Sequence, residues 1–149
     1  MSQSFAALLL AARRQRQLVI ATALTDGEPS GQAHQAHLAQ QQGAGALELR
    51  ADLLADPAQV RAALAAVRAA SSLPLLLTYR SATEGGKGAG HGQGYKDYLA
   101  SLLQLRSPVA ALDIEMACPA SKALVAEAKA GGYDVVGSCH DFTATPSAA

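Results

Sequence analysis

A chain of 149 residues, half of them apolar, is long enough to bury one substantial core. Its 12 lysines and arginines balance 12 aspartates and glutamates, which leaves no basic field to hold nucleic acid or an anionic membrane. The two cysteines, Cys118 and Cys139, fit neither a disulfide framework nor a zinc spacing, so no metal or disulfide staple is expected and a reducing, cytoplasmic setting is.

The chain opens on the apolar run 5–12, which has no basic residue before it and is too short to span a bilayer. It reads as a short helix within an N-terminal helical extension, residues 1–17, ahead of a single domain over 18–149. Five apolar runs follow, at 18–24, 46–52, 75–80, 111–116 and 134–142, each ending in polar residues as buried parallel strands do. Between them, 31–42, 57–70, 95–105 and 120–130 have helical composition. Asp56-Pro57 supplies an N-cap with proline at the first helical position, and Gly131-Gly132 ends the last helix. Segment 85–94 is crowded with glycine but lacks the ending of a phosphate-binding loop, and it reads as a mobile strand-to-helix loop rather than a substrate lid. Strand and helix alternating at about 30 residues per unit is the βαβ pattern.

In parallel α/β folds, functional groups gather where the strands end. Period-two alternation sends Glu48, Arg50 and Asp52 to one face of the second strand, Thr78 and Arg80 to one face of the third, Asp113 and Glu115 to one face of the fourth, and Ser138 with His140 to one face of the fifth. A lone charge at a strand end is most simply a structural ion pair. Four consecutive strands delivering ionisable groups to one face instead suggest a polar pocket the size of a small substrate. His140 is the natural acid or base, and Glu115 on the neighbouring strand is expected to orient it. Arg50 and Arg80 suit a carboxylate or hydroxyls. Cys139 should point away from His140, against a cysteine–histidine nucleophile. His34 and His37, three apart on a helix with no third ligand, read as solvated bystanders.

The ordered blocks Glu48-Leu-Arg-Ala-Asp52, Leu76-Leu-Thr-Tyr-Arg80 with Glu84-Gly-Gly86, Leu112-Asp-Ile-Glu-Met116, and Ser138-Cys-His-Asp-Phe142 followed by Thr145-Pro146 resemble type I 3-dehydroquinate dehydratase. The resemblance implies an α/β fold, here an incomplete (β/α)8 TIM barrel of about five parallel strands, and a lyase of the shikimate pathway that dehydrates 3-dehydroquinate through a lysine imine, without cofactor or metal. It implies His140 as proton carrier and Glu115 as its supporting carboxylate. Glu48, Arg50 and Arg80 would hold the substrate, and Thr22 on the first strand would replace a family serine. The family is usually homodimeric. Its imine-forming lysine belongs to a sixth strand, and none of Lys87, Lys96, Lys122 and Lys129 matches it. The expectation is therefore a truncated member, inactive or nearly so alone. The alternatives are one subunit of a split enzyme completed by a C-terminal chain, or a non-catalytic ligand-binding remnant.

Overall fold

A computed structural model describes residues 4–105 and 109–145. Met1 to Gln3 of the expected extension and Pro146 of the last sequence block lie outside the described residues. The strands are β1 (Ala21–Leu24), β2 (Ala46–Arg50), β3 (Leu75–Thr78), β4 (Ala111–Glu115) and β5 (Asp134–Ser138). The helices are α1 (Phe5–Gln15), α2 (Pro29–Gln41), α3 (Pro57–Ala70), α4 (Gln93–Gln104) and α5 (Ser121–Ala130). All five strands are parallel and lie in sequence order, β1-β2-β3-β4-β5. Strand order that never reverses, with every connecting helix on one side, is the winding of a closed (β/α)8 barrel rather than of an open doubly wound sheet.

The helix-facing side of the sheet is built from Leu24, Leu47, Leu49, Leu75, Leu77, Leu112 and Ile114, which pack against the apolar faces of α2 to α5 in one buried cluster. Each leucine here is nearly or fully buried, a contribution of about 1.5–3 kcal/mol apiece from apolar area removed from water. The expected punctuation at α3 and α5 is present. Asp56 accepts from the Gln59 N–H at 2.9 Å with Pro57 at the first helical position, and Gly132, at φ 82°, takes the left-handed turn after α5.

The inner face, opposite those helices, divides by height. At the strand starts Ala46, Leu76 and Ala111 form a second apolar cluster, and Phe5 of α1 packs into it. Asp134, at the start of β5, accepts from the Ser4 hydroxyl at 2.7 Å and the Ala6 N–H at 2.9 Å. These two bonds hold its carboxyl below the usual range. α1 therefore begins at β5, crosses beneath the strand starts, and hands the chain to β1 at the opposite edge. Towards the strand ends the same face becomes polar.

All five strand boundaries differ from the sequence reading, β3 ending at Thr78 rather than 80 and β4 at Glu115 rather than 116. β1 starts at Ala21 rather than 18, because the preceding residues carry the chain up from α1 and leave Leu18 95% and Ile20 65% exposed. β2 yields after Arg50 to a 3-10 turn, Ala51–Leu53, that folds Asp52 back onto Arg50. β5 stops at Ser138 rather than 142, since the His140 N–H leaves the ladder for Glu84 and Asp141 caps a turn over Thr143 and Ala144. Among the described residues no helix is long and apolar enough to cross a membrane.

Candidate active site

Parallel partners share a face, so the register decides which side chains look inward. Ala23 pairs with Glu48, Glu48 with Leu76, Arg50 with Thr78, Asp113 with Val136, and Glu115 with Ser138. Glu48, Arg50, Thr78, Asp113, Glu115 and Ser138 thus rise together on the inner face. Thr22 does not join them. It pairs with Leu47, a buried core residue on the helix-facing side. Its expected place in a substrate pocket is corrected by that one-residue parity, and on β1 the inner face shows only Ala21 and Ala23.

Arg80 is the hub. Its Nη2 lies 3.1 Å from Asp113 Oδ1, and its Nη1 lies 3.1 Å from Glu115 Oε1 and 3.5 Å from Glu84 Oε2 while donating to Ser138 Oγ at 2.8 Å. Ser138 donates in turn to Asp113 at 2.8 Å. The expected substrate clamp at Arg80 is therefore a guanidinium already engaged by three carboxylates. Burial raises the Asp113 carboxyl above its ordinary range, and the Ser138 and Arg80 bonds only partly offset that. Glu115, fully buried, is pushed up by burial but held lower overall by the Ser81 hydroxyl and N–H, His91 and Arg80.

The expected pairing of Glu115 with His140 is not what the structure shows. Glu115 is filled by the Ser81 N–H at 2.8 Å, the Ser81 hydroxyl at 2.6 Å and His91 Nε2 at 2.5 Å. His140, two residues beyond the end of β5, turns instead to Glu84. Both its N–H, at 3.0 Å, and its ring Nδ1, at 2.8 Å, donate to Glu84 Oε2. With Nδ1 donating to a carboxylate, the Nε2 lone pair is the free one, and the His140 side chain is 42% exposed. Cys139 beside it is exposed.

Glu84 owes its position to the glycine-rich loop, which is tied down rather than loose. The 3-10 turn Ala82–Glu84 is capped by Ser81. The backbone N–H groups of Gly86, Gly88, Lys87 and Ala89 donate to Ser81 O, Arg80 O, Asp52 and the Tyr79 hydroxyl. Sequence reasoning quoted Glu84 without giving it a role and passed over His91. The two glycines following Glu84, a sign that backbone must pass close by, were the available signal.

At the opening, Arg50 forks onto Asp52 with two bonds of 2.8 Å. That fork raises the Arg50 pKa, and against the opposing push of burial it leaves the Asp52 carboxyl lowered. Glu48 sits next to it, half-buried and with no side-chain hydrogen bond among the described residues. Lys96 lies on α4, and Lys122 and Lys129 lie exposed on α5. His34 and His37 are exposed on α2. A cleft between α4 and α5, lined by Leu103, Val109, Glu127 and Tyr133, includes none of the charged inner-face residues.

These groups set an acid dependence of stability. Asp52, Glu115 and Asp134 titrate below their ordinary values when folded, so their contribution is complete above about pH 5 and is lost as pH falls through the lowered values. Asp113 is shifted the other way and gives back some stability on acidification. The urea midpoint should be level from about pH 7 to 5 and then decline. A midpoint that rises from about pH 5 to 3 would mean that Asp113 outweighs the others.

Fold and strand-end site together define a parallel α/β-barrel protein, described here over five of its strand–helix units. The model of the type I 3-dehydroquinase family matches residues 20–149, and the chain belongs to that family. It is 36% identical over 113 residues to the 3-dehydroquinate dehydratase of Methanosarcina acetivorans, covering 73% of this chain and 47% of that protein. With the Methanoregula boonei dehydratase it shares 39% over 128 residues, 85% of this chain and 54% of the relative. The structure of the Enterococcus faecalis 3-dehydroquinate dehydratase superposes with a TM-score of 0.76 at 28% identity, over 87% of this chain and 56% of that one. The chain spans about half the length of the relatives it matches.

Proposed function

We propose that this chain supplies the substrate-holding and proton-transferring part of a 3-dehydroquinate dehydratase site, in a cytoplasmic biosynthetic enzyme. The observation that carries the reading is His140, fixed at the mouth of the inner face by two bonds to one oxygen of a buried carboxylate, Glu84. Dehydration removes a proton from the carbon beside the substrate ketone and expels hydroxide from the next carbon. One positioned base and acid serves both halves. His140, holding its proton on Nδ1, offers Nε2 to take the first proton and return it to the departing hydroxyl, while Glu84 stabilises the imidazolium between the two steps.

Glu48 would accept from a substrate hydroxyl, and Arg50 would face the substrate's oxygens. Arg80 and Glu115, saturated by their neighbours, act by holding this framework rather than by contact. The imine that makes the carbon acidic needs a lysine, and family resemblance assigns it to a sixth strand. Among the described residues β1 and β5 are each paired on one side only, and Leu18 and Ile20 are exposed beside β1. These edges favour completion by further strands, in the same or a complementing polypeptide.

The test is to produce the chain together with a polypeptide bearing the remaining strands and lysine, and to follow enone absorbance. Dehydration should appear, and His140→Ala should lower kcat by about 10²–10⁴. A complemented enzyme indifferent to that substitution would refute the assignment. Saturable 3-dehydroquinate binding with no turnover in any combination would favour a binding module.

A further inference from the structure

His91 is not needed by the reaction proposed above, yet it enters the most buried part of the charge cluster. Its Nε2 lies 2.5 Å from Glu115 Oε2 and 3.7 Å from Glu84 Oε1. Those three atoms lie within 4.8 Å of one another. Glu84 is anchored through its other oxygen, Oε2, by His140, and Glu115 is held by the Ser81 N–H and Arg80 on Oε1 and by the Ser81 hydroxyl on Oε2. This leaves Glu84 Oε1 turned towards His91, buried and without a hydrogen-bond partner, on a side chain only 3% exposed. An orphaned carboxylate oxygen at such depth is costly unless something positive meets it.

The charge count points the same way. Three carboxylates, Asp113, Glu84 and Glu115, converge on the single guanidinium of Arg80. Arg80 engages Glu115 through Oε1 and does not occupy the space between Glu84 Oε1, His91 Nε2 and Glu115 Oε2. One imidazole and two carboxylate oxygens, oriented by outer partners, are a donor set for zinc-class divalent ions, which leaves one of four coordination positions to water. Tetrahedral coordination at about 2.0–2.2 Å requires His91 to draw back from Glu115. The His91 N–H is held by Thr83 Oγ1 at 3.1 Å, so the movement falls to the His91 side chain, between Gly90 and Gly92.

We propose that Glu84, His91 and Glu115 form a binding site for a divalent transition-metal cation. On binding, the Nε2 proton of His91 is given up, either to Nδ1 as the tautomer changes or, from the imidazolium, to solvent. The binding claim stands apart from the dehydratase reading, because it rests on the positions of these three side chains and on no reaction.

The experiment titrates Co(II) into the 149-residue protein, follows its visible absorption, and displaces it with Zn(II). One ion per chain is expected, with affinity reduced about tenfold or more by His91→Gln. Cys139→Ser and the pair His34→Gln, His37→Gln should leave it unchanged. Because His91→Gln could disturb the fold, NMR of the unaltered protein gives a second measurement. Zn(II) should move the ring resonances of His91 ahead of those of His34 and His37. Absence of binding, insensitivity to His91→Gln in a folded variant, or loss of binding in the cysteine or surface-histidine variants would overturn the proposal.

Discussion

Arg80→Met should destabilise the chain by about 3–5 kcal/mol, the range for removing one partner of a buried charge cluster. Methionine keeps much of the stem volume, so the loss isolates the charge. Without the guanidinium, Asp113, Glu84 and Glu115 face one another with no cation between them, and Ser138 loses a donor. Arg50→Met should cost only about 1 kcal/mol or less, since its partner Asp52 keeps the Arg80 and Lys87 N–H groups and the Arg50 side chain is 22% exposed. Adding Asp113→Asn to the Arg80 variant should recover part of the loss by removing one of the stranded charges, a coupling within the roughly 0.5–3 kcal/mol seen between contacting residues. Urea unfolding at constant m-value reads all four proteins. Equal losses for the two arginines, or no recovery in the double variant, would show that Arg80 is not the hub.

A second large effect is expected from the smallest possible change in the loop, Gly86→Ala. A Cβ there would lie 2.1 Å from the Arg80 carbonyl oxygen and 2.6 Å from Arg80 C and Cβ. Backbone cannot yield as a side chain would, because Arg80 O also accepts from the Gly88 N–H at 3.0 Å and Gly86 itself donates to Ser81 O at 2.7 Å. The loop must lift, at about 1–3 kcal/mol, and Glu84 moves with it. The amide resonance of His140, which donates to Glu84, should shift accordingly. Gly94→Ala is the contrast. In the first turn of α4 its Cβ meets nothing nearer than Ala89 Cβ at 3.4 Å, so a gain of a few tenths to about 1 kcal/mol is expected from the less flexible unfolded chain. An unmoved His140 amide and unchanged stability in Gly86→Ala would contradict the close-packed loop.

Both experiments probe what the amino-acid sequence left illegible. Alternation along β2 and β4 was enough to bring Glu48, Arg50, Asp113 and Glu115 to one face, since each of these two strands carries apolar residues at every second position that only the helix side can bury. Thr22 fails the same logic. β1 has four residues, ATAL, with little polar contrast, and its parity depends on which residue of β2 it meets, so a slip of one reverses every side chain. Helix ends were legible where a cap or proline announced them, as at Asp56-Pro57. The Glu84–His140 bond was not, because its partners lie 56 residues apart on two segments without periodicity. Nor could composition reveal the ordering of the glycine loop, which comes from its own N–H groups finding carbonyls, a carboxylate and a phenol already fixed by the sheet.

The helix beneath the strands imposes an order in time. α1 precedes all five strands in the chain, yet the carboxylate that caps its N-terminus, Asp134, is 130 residues away from Ser4, and the floor into which Phe5 packs is assembled from the starts of three later strands. Eleven residues are too few to hold an isolated helix in water. α1 must therefore wait, unformed or transient, until β5 has joined the sheet, and its docking is a late, long-range event with a large loop-closure cost. A segment that precedes the strands in the chain folds into place after them, and its docking reports that β5 has joined the sheet.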